Sequence, residues 1–114
     1  MKTIVTSVGS FPTGSEIADA AFDLGLALAR SHEIDTVELP FVEPDGVVAW
    51  ARLRIGWRID MVLTRREDAA DELVEPATVR ELRARAGSLD GHLEGTDWIG
   101  SAYSWREPDW DVII

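Results

Sequence analysis

Residues 35–55, DTVELPFVEPDGVVAWARLRI, decide the fold of this chain, because apolar and polar side chains alternate on both sides of a turn signal. Alternation over four to eight residues is typical of a half-buried β-strand. The central Glu43-Pro44-Asp45-Gly46 has proline at its second position and glycine at its fourth, as a type I turn prefers. The stretch therefore predicts an antiparallel hairpin, and Pro40 indicates that the first strand lies at a sheet edge or contains a bulge.

The same alternation predicts the two faces of this hairpin. In the first strand, Asp35–Val42, the inward residues are Val37, Leu39 and Phe41. In the second strand, Val47–Ile55, the inward residues are Val47, Ala49, Ala51, Leu53 and Ile55, and the outward residues are Val48, Trp50, Arg52 and Arg54. After Gly56 the alternation continues from Trp57 to Leu63, which predicts a third strand beside the second, with Trp57 in the core.

Towards the N-terminus the pattern predicts a strand, a loop and a helix. Residues 2–8 are rich in β-branched side chains and predict the first strand, and the glycines and proline of residues 9–14 predict a loop. Apolar residues then recur with helical spacing from Ser15, the predicted N-cap, to Ser31. His32 follows at the end of this helix, where a cation complements the helix dipole.

Towards the C-terminus a second helix is predicted from Pro76 to a stop at Gly87. Residues 88–114 are rich in glycine and tryptophan and predict an irregular segment, in which residues 111–114 have the composition of a final strand. The predicted fold class is α+β, an antiparallel β-meander with two helices packed on one face, in the order β-α-β-β-β-α. Because no repeat or linker divides the chain, residues 1–114 are interpreted as one domain.

The charge balance excludes several classes of partner. The 114 residues include 21 acidic and 11 basic side chains, giving a formal net charge of -10 at pH 7. Such acidity opposes binding to nucleic acid and to anionic membranes. We expect a cytoplasmic protein, because no apolar run of about 18 residues and no signal-peptide pattern occurs. The absence of cysteine excludes a disulfide framework and a Cys-ligated zinc site.

Motifs of phosphate binding and catalysis are incomplete. The glycines at positions 9 and 14 have P-loop spacing, but Ser15 and Glu16 stand where that motif needs Lys and then Ser or Thr. The two histidines lie outside any Ser-His-Asp signature. We therefore expect no catalytic residue and no cofactor, and an enzyme is the less favoured class.

Residues 90–97 offer a metal-binding alternative. Their candidate ligands are Asp90, His92, Glu94 and Asp97. Gly95 falls where a calcium loop of the EF-hand kind has its turn glycine, but the twelfth position, which needs a bidentate Glu, is Ser101. The favoured interpretation is a solvated acidic loop without metal, and oxygen ligands with one imidazole remain the alternative.

A cluster of arginines beside a tryptophan is the feature that folding explains least. Its residues are Trp50, Arg52, Arg54 and Arg58. Such a set can bind an anion, stack an aromatic group or contact a partner. Alternatively, the arginine stems cover the indole while their charged ends pair with Glu38, Asp60 and nearby acids, which forms a network without a ligand. If the set binds, a protein interface is favoured, because Trp and Arg anchor interfaces.

Three more tryptophans, Trp98, Trp105 and Trp110, lie in the irregular segment. Burial of large apolar rings is favourable at about 25 cal/mol per Å². The segment therefore packs either over the Trp50 face or against another subunit, and we expect a homodimer.

Three functional hypotheses remain open at this point. The leading one is a non-enzymatic protein-binding module of the bacterial cytosol, of inhibitor, immunity or regulatory type, whose acidity steers it towards a basic partner. The second is a small anionic-ligand-binding protein or minor enzyme that uses the arginine-bearing sheet face. The third is a structural subunit of a larger assembly.

Overall fold

The structure is a computed structural model that describes residues 1–66 and 72–97, with side chains described up to residue 89. The elements are β1 (Lys2–Thr6), β2 (Gly9–Thr13), α1 (Ser15–Arg30), β3 (Ile34–Val42), β4 (Val48–Gly56), β5 (Met61–Arg65) and α2 (Pro76–Asp97). The predicted α+β class, with antiparallel strands and two helices in the described residues, is confirmed. No helix in this part of the chain is both long enough and apolar enough to cross a membrane.

The described strands form two antiparallel sheets, β2-β1-β5 and β3-β4. The predicted hairpin is confirmed, since β3 and β4 pair over their whole length and the Gly46 N–H donates to the Glu43 carbonyl at 2.7 Å. The sheets meet where the Thr13 hydroxyl donates to the Pro40 carbonyl at 2.7 Å. Among the described strands, β3 pairs with β4 alone, so Pro40 lies on an edge strand, as predicted.

The core lies between α1 and the inner faces of both sheets. Its buried residues from the strands are Ile4, Val37, Leu39, Leu53 and Ile55, and those from the helices include Ile17, Leu24, Leu28 and Leu82. The inward positions of β3 and β4 match the predicted alternation, apart from Val47, which is 56% exposed at the end of the turn. Helix α2 lies beside α1, where Arg83 approaches Asp23.

Two strand predictions need correction. The segment Gly9–Thr13, predicted as a loop, is the edge strand β2, because Thr6 and Gly9 form a tight turn and Phe11 packs edge-on against Phe41 at 5.2 Å. The third strand begins at Met61 rather than Trp57, and it pairs with β1 rather than β4. The chain turns away at Gly56, whose φ is +125°.

The N-cap of the first helix lies one residue before the predicted one. Gly14 is the N-cap and Ser15 is the first helical residue. The cap comes from Glu72, whose carboxylate accepts a hydrogen bond from the Ser15 N–H. A Cβ at position 14 would lie 1.8 Å from the Leu73 carbonyl oxygen, so glycine is required for this approach. Sequence spacing gives no access to this cap, because 57 residues separate its two partners.

The second helix is longer than predicted. It continues through Gly87 to Asp97, because Gly87 keeps a negative φ and does not form the left-handed turn that ends helices. The predicted irregular segment is therefore wrong for residues 88–97, and so is the predicted loop at residues 90–97. The possible final strand at residues 111–114 lies outside the described residues.

Candidate binding face on strand β4

The outward residues of β4 form the candidate site. We call Val48, Trp50, Arg52 and Arg54 the β4 face. All four side chains are exposed, as the alternation predicts, and Trp50 is 58% exposed. Their cross-strand partners on β3 are Val42, Pro40, Glu38 and Thr36, in that order. The structure therefore brings together three of the four residues of the predicted arginine cluster.

Arg52 is held by its cross-strand partner. Its Nε and Nη2 atoms donate to Oε2 of Glu38 at 2.9 and 2.6 Å. Both side chains are largely exposed, so the pair adds at most about 1 kcal/mol to stability. It fixes the direction of the guanidinium group and neutralises its charge within the hairpin.

Neither Trp50 nor Arg54 has a charged or aromatic partner within residues 1–66 and 72–89. In that part of the chain, Trp50 makes no ring contact and Arg54 makes no hydrogen bond or ion pair. Burying the exposed part of an indole is favourable, and a guanidinium without a counter-ion attracts an anion or a π face. The two side chains lie two residues apart on the same face of one strand and are available together.

Arg58, the fourth residue of the predicted cluster, lies elsewhere. It has a φ of +65°, and its guanidinium carbon is 4.7 Å from the centre of the Trp57 ring. The same ring meets His32 edge-on at 4.8 Å. Trp57 is half-buried, so its predicted placement in the core is confirmed only in part. We call His32, Trp57 and Arg58 the Trp57 corner.

A cavity of about 250 Å³ adjoins the β4 face on the side of α2. Its lining includes Arg52, Glu38 and Arg85, and sequence reasoning did not identify Arg85. The Arg85 Nη2 donates to the Thr36 carbonyl at 3.1 Å and also to the Asp35 carboxylate. The Thr36 N–H and Arg85 together lower the pKa of Asp35. No sequence signal places Arg85 here, because the position depends on how α2 packs against β3.

A wider groove of about 850 Å³ begins at the other end of the face, at Val48. Phe41, Pro44 and Leu73 contribute apolar walls, and Glu72 contributes a carboxylate. The N-terminal ammonium group donates to Glu72 Oε1 at 2.8 Å and, with the Ser15 N–H, lowers the pKa of Glu72 to about 2. This carboxylate therefore belongs to the helix cap and is not free for a ligand.

The open edge of β4 completes the site. Among the described strands, β4 pairs with β3 alone, so nine residues present one edge without a strand neighbour. An edge of this kind offers backbone N–H and C=O groups to an added strand. The β4 face and this edge lie on the same strand, so one partner segment can contact both.

Other predicted site residues fall where side chains are not described. Trp98, Trp105 and Trp110 lie outside the described residues, and so do the side chains of Asp90, His92, Glu94 and Asp97. Within the described side chains, no group of three acidic or histidine residues could hold a metal ion. Comparison of the chain with protein-family models, with curated proteins and with solved structures finds no match.

Proposed function

We propose that this protein is a non-enzymatic protein-binding module of the bacterial cytosol, of inhibitor, immunity or regulatory type, and that it binds through the β4 face. The observation that carries the proposal is Trp50, 58% exposed beside Arg54 on an open strand edge. Both residue types are enriched among the side chains that dominate interface energies. The acidic protein thus concentrates an aromatic ring and two arginines on one strand.

The energies favour a partner that covers the ring. Trp50 and Val48 together leave on the order of 150–200 Å² of apolar surface in water, and burying it contributes about 4 kcal/mol before the costs of association. Arg54 adds a site for a carboxylate or an aromatic ring of the partner. The net charge of -10 accelerates the approach of a basic partner.

A photo-crosslinking experiment tests the proposal. The photoreactive amino acid p-benzoylphenylalanine replaces Trp50 in one variant and Thr64 in a control, where Thr64 is an exposed strand residue of β5 in the other sheet. We expect the variant at position 50, and not the variant at position 64, to form an adduct with a discrete protein, which excess unlabelled protein suppresses. Equal labelling from both positions, or none from position 50, contradicts a partner at the β4 face.

A second candidate function is binding of a small anion. The observation in its favour is the cavity of about 250 Å³ lined by both Arg52 and Arg85. Both arginines already contact carboxylates, so an anion must displace Glu38 or Asp35. Calorimetric titration with inorganic phosphate tests this function, and binding that Arg85→Gln abolishes would support it over the protein-binding module.

A third candidate, a structural subunit of a larger assembly, predicts species larger than a dimer. Sedimentation velocity of the full chain separates it from the first two candidates, which predict a monomer or dimer in the absence of a partner.

A further inference from the structure

We infer that the β4 edge pairs with the β4 edge of a second copy of this chain, in antiparallel register about a two-fold axis at Arg52. This inference rests on the proposed function, since it assigns a partner to the same face. The starting point is the open edge, nine residues long, without proline and with its single glycine at the last position. An edge of this length that lacks an interior proline or glycine is suited to accepting another strand.

The alternation of side chains limits the register. Residues opposite one another in an antiparallel pair point to the same face of the sheet. Two-fold pairing of β4 with itself is therefore centred on a residue rather than between two residues. Centring on Arg52 pairs the whole strand, from Val48 opposite Gly56 of the second copy to Gly56 opposite Val48 of that copy. Centring on Ala51 or Leu53 pairs seven residues, by counting along the same strand.

On the inner face this register matches small residues with large ones. Ala51 lies opposite Leu53 of the second copy, and Ala49 lies opposite Ile55 of that copy. Leu53 and Ile55 are buried within their own chain, whereas Ala49 and Ala51 are half-buried. Pairs of small and large side chains fill a shared layer with fewer gaps than pairs of like size. The inner sides of the two hairpins therefore form one continuous apolar layer.

On the outer face, this register gives Trp50 and Arg54 each a partner side chain in the second copy. Trp50 lies opposite Arg54 of the second copy, and the two-fold axis repeats this pair, so the dimer contains two cation–π contacts. Arg52 meets its own copy at the axis, but each Arg52 is already neutralised by Glu38 at 2.6 Å. Centring on Leu53 would instead oppose Arg52 with Arg54 of the second copy twice, which is unfavourable.

The net charge opposes this association and makes the dissociation constant of the dimer depend on ionic strength. Each chain carries a formal charge of -10, so added salt screens the repulsion between copies. Cation–π and apolar contacts across the two strands are screened much less. The dissociation constant of the dimer therefore falls as ionic strength rises, which is opposite to the behaviour of binding to a basic partner.

Disulfide crosslinking of the full chain tests the register, because the natural sequence contains no cysteine. Paired Cα atoms in an antiparallel ladder lie about 4.5–5.5 Å apart, within the disulfide range. With oxidised glutathione, Arg52→Cys is expected to form a covalent dimer with itself. Val48→Cys alone is the matched control and is expected not to, because the two copies of position 48 lie about 27 Å apart and both Trp50–Arg54 pairs are retained. A mixture of Trp50→Cys and Arg54→Cys chains is expected to crosslink as a heterodimer.

Analytical ultracentrifugation of uncrosslinked chains tests the contact itself. Arg54→Glu is expected to raise the dimer dissociation constant roughly tenfold or more, because both cation–π pairs are lost. Arg80→Glu, at an exposed position on α2, changes the net charge equally and is expected to change the constant less than twofold. Equal effects of the two variants, or crosslinking of Val48→Cys as efficient as that of Arg52→Cys, overturn the inference.

The remaining outcomes separate this inference from the proposed function. A monomeric chain whose position 50 photo-crosslinks to another protein overturns self-pairing and leaves the proposed function standing. A monomer whose position 50 crosslinks to its own residues 98–114 overturns both. A dimer with the predicted disulfides, but without any adduct to another protein, supports self-pairing and contradicts a different protein as the partner.

Discussion

Trp50 and Trp57 are seven residues apart in the chain, yet they have opposite surroundings. Trp57 is half-buried, with Arg58 over its face and His32 against its edge. Trp50 is 58% exposed and has no ring contact within the described residues. The two tryptophans look alike in sequence, since each is followed by an arginine within two positions. Within the described residues, the Trp57 corner contributes contacts that stabilise the fold, whereas the side chains of the β4 face are exposed.

The Trp57 corner stabilises backbone that is otherwise unfavourable. His32 and Arg58 are the described residues other than glycine that have positive φ, at 57° and 65°. His32 is the left-handed residue of a Schellman motif, in which the Glu33 N–H donates to the Leu28 carbonyl at 2.9 Å. Glycine is the usual residue at that position, so the ring contact with Trp57 explains why histidine is tolerated.

The largest expected effect comes from the glycine that directs the chain into the Trp57 corner. Gly56→Ala places a Cβ 2.4 Å from the Glu33 carbonyl oxygen at a φ of +125°. We expect a loss of about 3 kcal/mol or more in the free energy of unfolding, measured by urea denaturation.

Gly87→Ala is the matched control for this change. A Cβ at Gly87 meets nothing within 4 Å in the described structure, and the residue lies inside α2. We expect a gain of about 0.5–1 kcal/mol from improved helix propensity. Similar losses from both substitutions would show that the Gly56 turn does not have the conformation described.

Substitution of the two tryptophans separates stability from binding. Trp57→Ala should lower the free energy of unfolding by about 2 kcal/mol, because a half-buried ring and its two contacts are lost. Trp50→Ala should lower it by less than about 0.5 kcal/mol, but should weaken association at the β4 face at least tenfold. Urea denaturation and sedimentation equilibrium measure the two quantities. If Trp50→Ala is the more destabilising change, the distinction between the two regions is wrong.

The carboxylates of Glu72 and Glu38 also differ in how much they stabilise the fold. The N-terminal ammonium and the Ser15 N–H hold the pKa of Glu72 at about 2, below its ordinary value of 4.5. Because the folded pKa is the lower one, this stabilisation is full above pH 4.5 and is lost as pH falls towards 2. Solvent screening of a side chain that is 43% exposed reduces the contribution to about 1 kcal/mol.

Glu72→Gln should therefore cost about 1 kcal/mol at pH 7 and flatten the fall in stability between pH 4.5 and pH 2. Glu38→Gln is the control, because the ion pair of Glu38 with Arg52 of the β4 face is exposed, and it should cost less than about 0.5 kcal/mol. Urea denaturation across this pH range measures both variants. An unchanged pH profile for Glu72→Gln would contradict the assigned cap.

The smallest effect is expected at His32. His32→Gly relieves the left-handed backbone but removes the contact with Trp57, and each effect is about 0.5–1 kcal/mol. We expect a net change within about 0.5 kcal/mol in the natural chain. In a Trp57→Ala background the contact is already lost, so His32→Gly should stabilise the protein by about 0.5–1 kcal/mol. A double-mutant cycle measures the difference, and strict additivity would show that the two rings do not interact.

The features of the fold that the sequence predicts correctly are those that local alternation specifies. The β3–β4 hairpin, its turn, and the outward positions of Trp50, Arg52 and Arg54 follow from a period of two and from a proline and glycine in a turn. These features depend on residues that are close together in the chain, so they can be predicted from the sequence alone.

The features that sequence reasoning missed depend on distant partners. Glu72 caps α1 from 57 residues away, β5 crosses to the sheet of β1, and Arg85 reaches β3 from α2. Arg58 would share the β4 face only if the alternation continued through Gly56, where a positive φ interrupts it. No pattern in a single sequence specifies such contacts.

The most direct test of the difference between the two regions is NMR of the tryptophan indole N–H signals in the full chain. The chain has five tryptophans, and Trp50→Phe and Trp57→Phe assign the two signals that matter. As protein concentration rises, or as the crosslinked partner is added, the Trp50 signal is predicted to shift while the Trp57 signal stays fixed. A Trp50 signal that does not move when association is demonstrated by sedimentation would contradict a binding function for the β4 face.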